Sequence, residues 1–163
     1  MAIYDRKTIE NLIDGNMTLE KLLEMMRNFK DPDRFDKYLA ILQERVPWED
    51  KILLPYGLHL FIVRKPEGSR VMKCDCGYEF GDYRRNWKLN ALIYIRDSEE
   101  KLREIYPKLM YSDPEWMVLR EYYCPGCYVQ LDAEAVPPGY PIIFEFEPDI
   151  DTFYTEWLGR ACD

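Results

Sequence analysis

The chain has 163 residues, enough for one domain with a small appendage, and its 47% apolar and 32% charged side chains are those of a folded globular protein. Its 30 acidic residues against 22 basic ones leave a net charge of −8, which lacks the positive footprint that a phosphate backbone requires and argues against a nucleic-acid partner. No stretch of roughly 18 apolar residues occurs, so no membrane span is expected, and "MAIYDRKTIENL" is charged from Asp5 onward, unlike a signal or transit peptide, so the chain reads as cytoplasmic.

Residues 1–50 read as a helical region. Asp5 caps a first helix with Ile9, Leu12 and Ile13 on one face and Gly15 beyond its end; Thr18 caps a second in which Leu19, Leu22, Leu23 and Met26 recur at helical spacing. In "DPDRF", Asp31 is placed as cap and Pro32 as first helical residue of a third helix, whose buried stripe is Phe35, Tyr38, Leu39, Leu42 and Val46 before Pro47 stops it.

Residues 51–136 change to strand-like runs punctuated by Pro and Gly. "KILLP", "HLFIVRK", "SRVMKC", "KLNALIYIRD", "EWMVLREYYC" and "YVQLDAEAV" are the strand candidates, and "SEEKLREIYPKLM" reads as a short helix capped by Ser98 with Glu99 and Glu100 in its first turn. Residues 137–163 form a third region. The prolines of "VPPGYPIIFEFEPD" demand an extended arm, which leads into a short helix capped by Asp149 with Ile150, Phe153, Tyr154, Trp157 and Leu158 on one stripe. Those side chains either pack on their own domain or dock in a groove of another subunit. The expected fold class is therefore α+β: short N-terminal helices, a central, mostly antiparallel, zinc-ribbon-like β domain, and an extended C-terminal arm ending in a helix.

Four of the five cysteines fall into two tight pairs, Cys74–Cys76 as C-D-C and Cys124–Cys127 as C-P-G-C. In a reducing compartment such pairs favour a metal over disulfides, and zinc takes four such ligands tetrahedrally. Gly77 and Gly126 supply the tight turns, with positive φ expected at both. Two buried unlinked pairs, or a redox or iron–sulfur role, are the alternatives. A four-sulfur site is coordinatively closed, which points to a structural ion. His59, the one histidine, lies in a strand away from either pair, and no phosphate-binding loop or nucleophile–base arrangement is evident, so no catalytic and no cofactor-binding residue is assigned. Arg84, Arg85 and Lys88 suit a salt-bridged face better than an anion site, and Cys162 reads as an exposed leftover thiol. The 13 Tyr, 7 Phe and 4 Trp supply a ring-rich core together with candidate partner anchors, among them Phe153, Trp157 and Tyr140.

In their order and spacing, "DPDRFDKYLAILQERVPWEDKILLP", "VMKCDCGYEF", "NWKLNALIYIRD", "EIYPKLM", "REYYCPGC" and "PDIDTFYTEWLG" resemble the gamma (small) subunit family of acetone carboxylase. The resemblance implies a heterohexamer with larger alpha and beta subunits, coupling ATP hydrolysis to the carboxylation of acetone by bicarbonate to give acetoacetate. It implies zinc on the small subunit, here through Cys74, Cys76, Cys124 and Cys127, with ATP and manganese handled by the partner subunits only. A related complex acting on a larger ketone has similar architecture. C-x-C with C-x-x-C is also the ligand pattern of a zinc-dependent thiol redox switch or chaperone, the competing expectation.

Overall fold

A computed structural model describes residues 3–28 and 31–162. Three short helices open the chain: α1 (Arg6–Ile13), α2 (Leu19–Arg27) and α3 (Arg34–Arg45). The Asp5 carboxylate accepts the Thr8 amide at 2.8 Å and the Thr18 hydroxyl accepts that of Lys21 at 3.3 Å, as their sequence positions require. Helix α3 departs from expectation. It starts after Asp33, and Asp31 is not its cap. The buried Asp31 carboxylate instead accepts the Tyr4 amide at 2.9 Å, the Asp33 amide at 3.1 Å and the Lys37 ammonium at 2.7 Å. Its oxygens are consumed by the remote Tyr4 amide together with Asp33 and Lys37, so it fastens the N-terminal segment of the chain to α3.

The apolar stripes are also rotated from their sequence assignment. In α2 the buried residue is Met25, while Leu19 and Met26 face outward. In α3 Ile41 and Leu42 are buried; Phe35, Tyr38, Leu39 and Val46 are only half-buried. Tyr4, Ile9, Met25 and Ile41 close a small core among the helices.

Two antiparallel sheets follow. The first runs in chain order through β1 (Lys51–Pro55), β2 (Leu60–Arg64), β3 (Arg70–Cys74) and β4 (Glu79–Asp82); the second through β5 (Leu92–Arg96), β6 (Val118–Tyr123) and β7 (Gln130–Val136). Strand β2 is buried on both faces: Leu60 and Ile62 enter the main core, and Phe61 and Val63 lie under α3. That double burial explains its unbroken apolar run. Strand β4 was not expected, because it is four residues long and carries Gly81 at φ 94°. "KLNALIYIRD" is not one strand either. Trp87–Asn90 form a 3-10 turn that buries Trp87 and Lys88, and only then does β5 begin. Behind Ser98, α4 (Glu99–Leu102) is a single turn.

The main core joins the two sheets. Trp87 stands edge-on between Phe80, at 5.8 Å, and Tyr122, at 6.0 Å. The C-terminal arm completes it. Arg120 donates to the carbonyls of Tyr140, at 2.7 Å, and Pro141, at 3.2 Å, and Asn86 donates to that of Ile142 at 3.2 Å. These bonds satisfy a proline-rich backbone that cannot pair as a strand. Helix α5 (Ile150–Thr152), capped by Asp149, runs on as a π-helical turn over Phe153–Trp157. Ile150 and Tyr154 are buried in their own domain, and the Tyr154 hydroxyl donates to the Leu53 carbonyl at 2.8 Å. Phe153 meets Phe35 edge-on at 5.2 Å and is thus engaged within the chain, whereas Trp157 is 79% exposed. Among the described residues no helix is long and apolar enough to cross a membrane.

Candidate metal centre

Each cysteine pair sits at the tip of a hairpin, one from each sheet. At the end of β3 the Cys74 amide donates to the Tyr78 carbonyl at 2.8 Å and its carbonyl accepts the Gly77 amide at 2.9 Å, closing a turn that carries Cys76. At the end of β6 the Cys124 amide donates to Val129 O at 3.0 Å, and the Tyr128 amide returns to Cys124 O at 2.8 Å. The two glycines serve different ends. Gly77 has φ 101°, a left-handed conformation, as the sequence suggests. Gly126 does not; in that turn the positive φ, 62°, belongs to Tyr128. Gly126 is needed for close approach, since a Cβ there would lie 3.0 Å from Tyr78 Cβ and 3.2 Å from Cys76 Sγ. Its amide points at the Cys124 sulfur, at 3.3 Å, as amides around metal-bound thiolates do.

The four sulfurs Cys74, Cys76, Cys124 and Cys127 all lie within 4.8 Å of one another. Cys74 and Cys127 are 3.8 Å apart and Cys76 and Cys124 3.6 Å, with every thiol reduced. A tetrahedral zinc with Zn–S near 2.3 Å requires sulfur separations of about 3.8 Å, so this donor set fits that ion. Cys74 and Cys124 are buried and Cys76 and Cys127 exposed, so the cluster straddles the surface. Burial pushes the Cys74 thiol well above its usual range. A divalent cation reverses that preference by stabilising thiolates, and in this place it would tie the two sheets together at their tips.

His59, set apart from both pairs by its sequence position, lies beside the first. Its Nδ1 is 2.6 Å from Asp75 Oδ2, and its carbonyl accepts the Asp75 amide at 3.1 Å. The Trp48 indole donates to the Asp75 carbonyl at 3.0 Å. Asp75, the middle residue of C-D-C, is thereby held on three sides. Sequence reasoning missed His59 and Trp48 as supports because neither is adjacent to a cysteine in the chain.

The remaining candidates are accounted for elsewhere. Lys88 is no anion site: its ammonium is buried beneath Glu145, at 2.6 Å, Asp132, at 2.8 Å, and Glu134, at 3.5 Å. Desolvation pulls its pKa down, but the hydrogen bonds it donates to Asp132 and Glu145 outweigh this and hold it above the usual lysine range. Arg84 pairs with Asp82 at 2.7 Å. Cys162 is half-buried against the main core, not an exposed leftover.

Residues 46–158 match the profile of the family described as the acetone carboxylase gamma subunit. The acetone carboxylase gamma subunit of Xanthobacter autotrophicus is 48% identical over 157 residues, covering 96% of this chain and 94% of its own length. The acetophenone carboxylase beta subunit of Aromatoleum aromaticum is 36% identical over 84 residues, 48% of this chain and 62% of that one.

Proposed function

Because the chain belongs to the acetone carboxylase gamma subunit family, we propose that it is the metal-braced small subunit of an ATP-dependent ketone carboxylase. In this reading it clamps larger alpha and beta subunits in a cytoplasmic heterohexamer that converts acetone and bicarbonate to acetoacetate. The observation that carries it is end-to-end similarity, 96% of one chain on 94% of the other. The similarity to a subunit acting on acetone exceeds that to the acetophenone relative in both identity and coverage, which favours the smaller ketone.

Zinc is the ion we assign to Cys74, Cys76, Cys124 and Cys127. Four thiolates leave no open position for water or substrate, so the role inferred for this chain is support, with ATP and manganese chemistry placed on the partners. The ion's contribution is the charge that keeps four sulfurs deprotonated in one cluster. The residues of this chain do the rest. Gly126 admits the close approach of the turns, Asp75 is held by His59 and Trp48, and the hairpin tips carry the brace into both cores. Of the expected anchors Trp157 and Tyr140 are exposed and available to a partner. Strand β5 adds to them: Leu92, Ile93, Tyr94 and Ile95 are all exposed on a sheet edge, a place natural proteins normally blunt with charge.

The test is purification from the native source with metal analysis and mass spectrometry of whatever accompanies the chain. We expect co-elution with two larger chains and about one zinc per copy of this one. A stable monomer that shows no mass shift on mixing with candidate larger subunits would sink the reading.

A further inference from the structure

Between α1, α3 and the β1–β2 turn lies an open cleft of about 660 Å³. That volume is within the range of roughly 300–1,000 Å³ typical of small-molecule sites. Its walls are largely apolar, formed by Ile13, Phe35, Tyr38, Leu58 and Phe61 among others. Among the described residues no carboxylate lines it, although acids outnumber bases 30 to 22 over the whole chain. Among the described residues the basic ones on its lining are Arg34 and His59. His59 is engaged by Asp75, but the Arg34 guanidinium makes no ion pair or side-chain hydrogen bond among the described residues. Several other cations of the helical region are paired, Arg6 with Glu44, Lys37 with Asp31 and Arg45 with Asp14, and none of these lines the cleft.

We propose that this cleft binds a small monocarboxylate with an apolar body, its head group on the Arg34 fork and its body against the aromatic wall. A guanidinium matches a carboxylate with two parallel hydrogen bonds, a geometry unavailable to a neutral ligand. The lining rejects the competing occupants. A dianionic phosphate ester would find one unengaged cation, and a purely apolar side chain from a partner would strip water from Arg34 without replacing it. The half-buried Phe35 and Tyr38 on its wall offer aromatic surface that favours an aromatic or branched body over a short polar acid. The site is independent of the subunit role proposed above, because it needs no residue of the metal cluster and no partner chain.

The probe is 3-phenylpropionate, titrated calorimetrically into the zinc-loaded full-length chain, with 3-phenylpropionamide as the neutral isostere. The acid is expected to bind in the submillimolar range and the amide at least tenfold more weakly. Arg34→Gln should weaken the acid about tenfold, equivalent to about 1.4 kcal/mol, and leave the amide unchanged. Its melting temperature should match the parent's, since Arg34 holds no partner whose loss would unfold it. Ile13→Trp, which fills the cleft, should abolish binding of both. Equal affinity for acid and amide, indifference to Arg34→Gln, or no heat at millimolar acid would each overturn the assignment.

Discussion

Replacing Gly126 with alanine adds one carbon at the point where the two cysteine hairpins meet. That carbon would sit 3.0 Å from Tyr78 Cβ and 3.2 Å from Cys76 Sγ. Carbon atoms pack best at about 3.5–4.0 Å, so the neighbours must retreat by roughly half an ångström or more. Neither neighbour can do so freely. Tyr78 is fixed by its carbonyl's bond to the Cys74 amide and by its edge-on contact with Phe80 at 5.0 Å. Cys76 is one corner of the sulfur cluster, so its displacement opens the cage. Overpacking of this kind costs about 1–3 kcal/mol. If the strain falls on the metal-bound state, it appears as a roughly 5- to 150-fold loss of zinc affinity at 1.4 kcal/mol per decade. Zinc release to a colorimetric chelator, with parallel melting curves, measures it. Gly57→Ala is the matched control, because its new carbon meets nothing closer than Leu60 Cβ at 3.9 Å. If Gly126→Ala retained zinc and melted like the parent, the close packing of the two turns would not govern the site.

Further outcomes follow from the same contacts. Cys124→Ser, or removal of metal by a strong chelator, should raise amide exchange in β3, β4, β6 and β7 while α1–α3 stay protected, since the brace joins the sheets and not the helices. Lys88→Met leaves Asp132 and Glu145 without their cation, while Glu134 keeps Arg120 at 2.9 Å. With Asp132 and Glu145 side chains 40% and 46% exposed, the cost should be about 3 kcal/mol, the low end for a broken buried pair. In a chain of this size that is a fall in melting temperature of roughly 6–12 °C, and an unchanged melt would refute the role given to Lys88. The Asp31 carboxyl is held below the usual carboxylate range, chiefly by its bond to Lys37 and then by the Tyr4 amide. A lowered carboxylate pKa stabilises the fold above the unfolded value near ~4 and ceases to do so as pH falls through the folded one. Asp31→Asn should therefore raise amide exchange in α1 at neutral pH, and the difference from the parent should shrink on acidification below about 4. A gap that is constant with pH would show that Asp31 acts as a neutral acceptor.

Much was legible in the order of residues alone. The caps Asp5, Thr18, Ser98 and Asp149 all hold the amides their positions imply, because a cap acts across three residues. Strands β1, β2, β3, β6 and β7 lie where the apolar runs and the Gly and Pro punctuation place them. The supply of four sulfurs, and the family, were likewise readable from spacing and segment order.

Tertiary structure decided the rest. Asp31 left its expected cap to bind Tyr4 and Lys37. Met25 displaced Met26 on the inner face of α2, and Phe153 turned to Phe35 while Trp157 stayed in solvent. His59 came to rest on Asp75, and Arg34 lines an apolar cleft with no ion pair among the described residues. Each of these depends on contacts beyond a single helical turn of the chain. Local conformational preferences reach only three or four residues along the backbone, so they set caps, turns and periodicity. Which side chains meet, and which remain free to receive a partner, is set by how the two sheets and the helices pack.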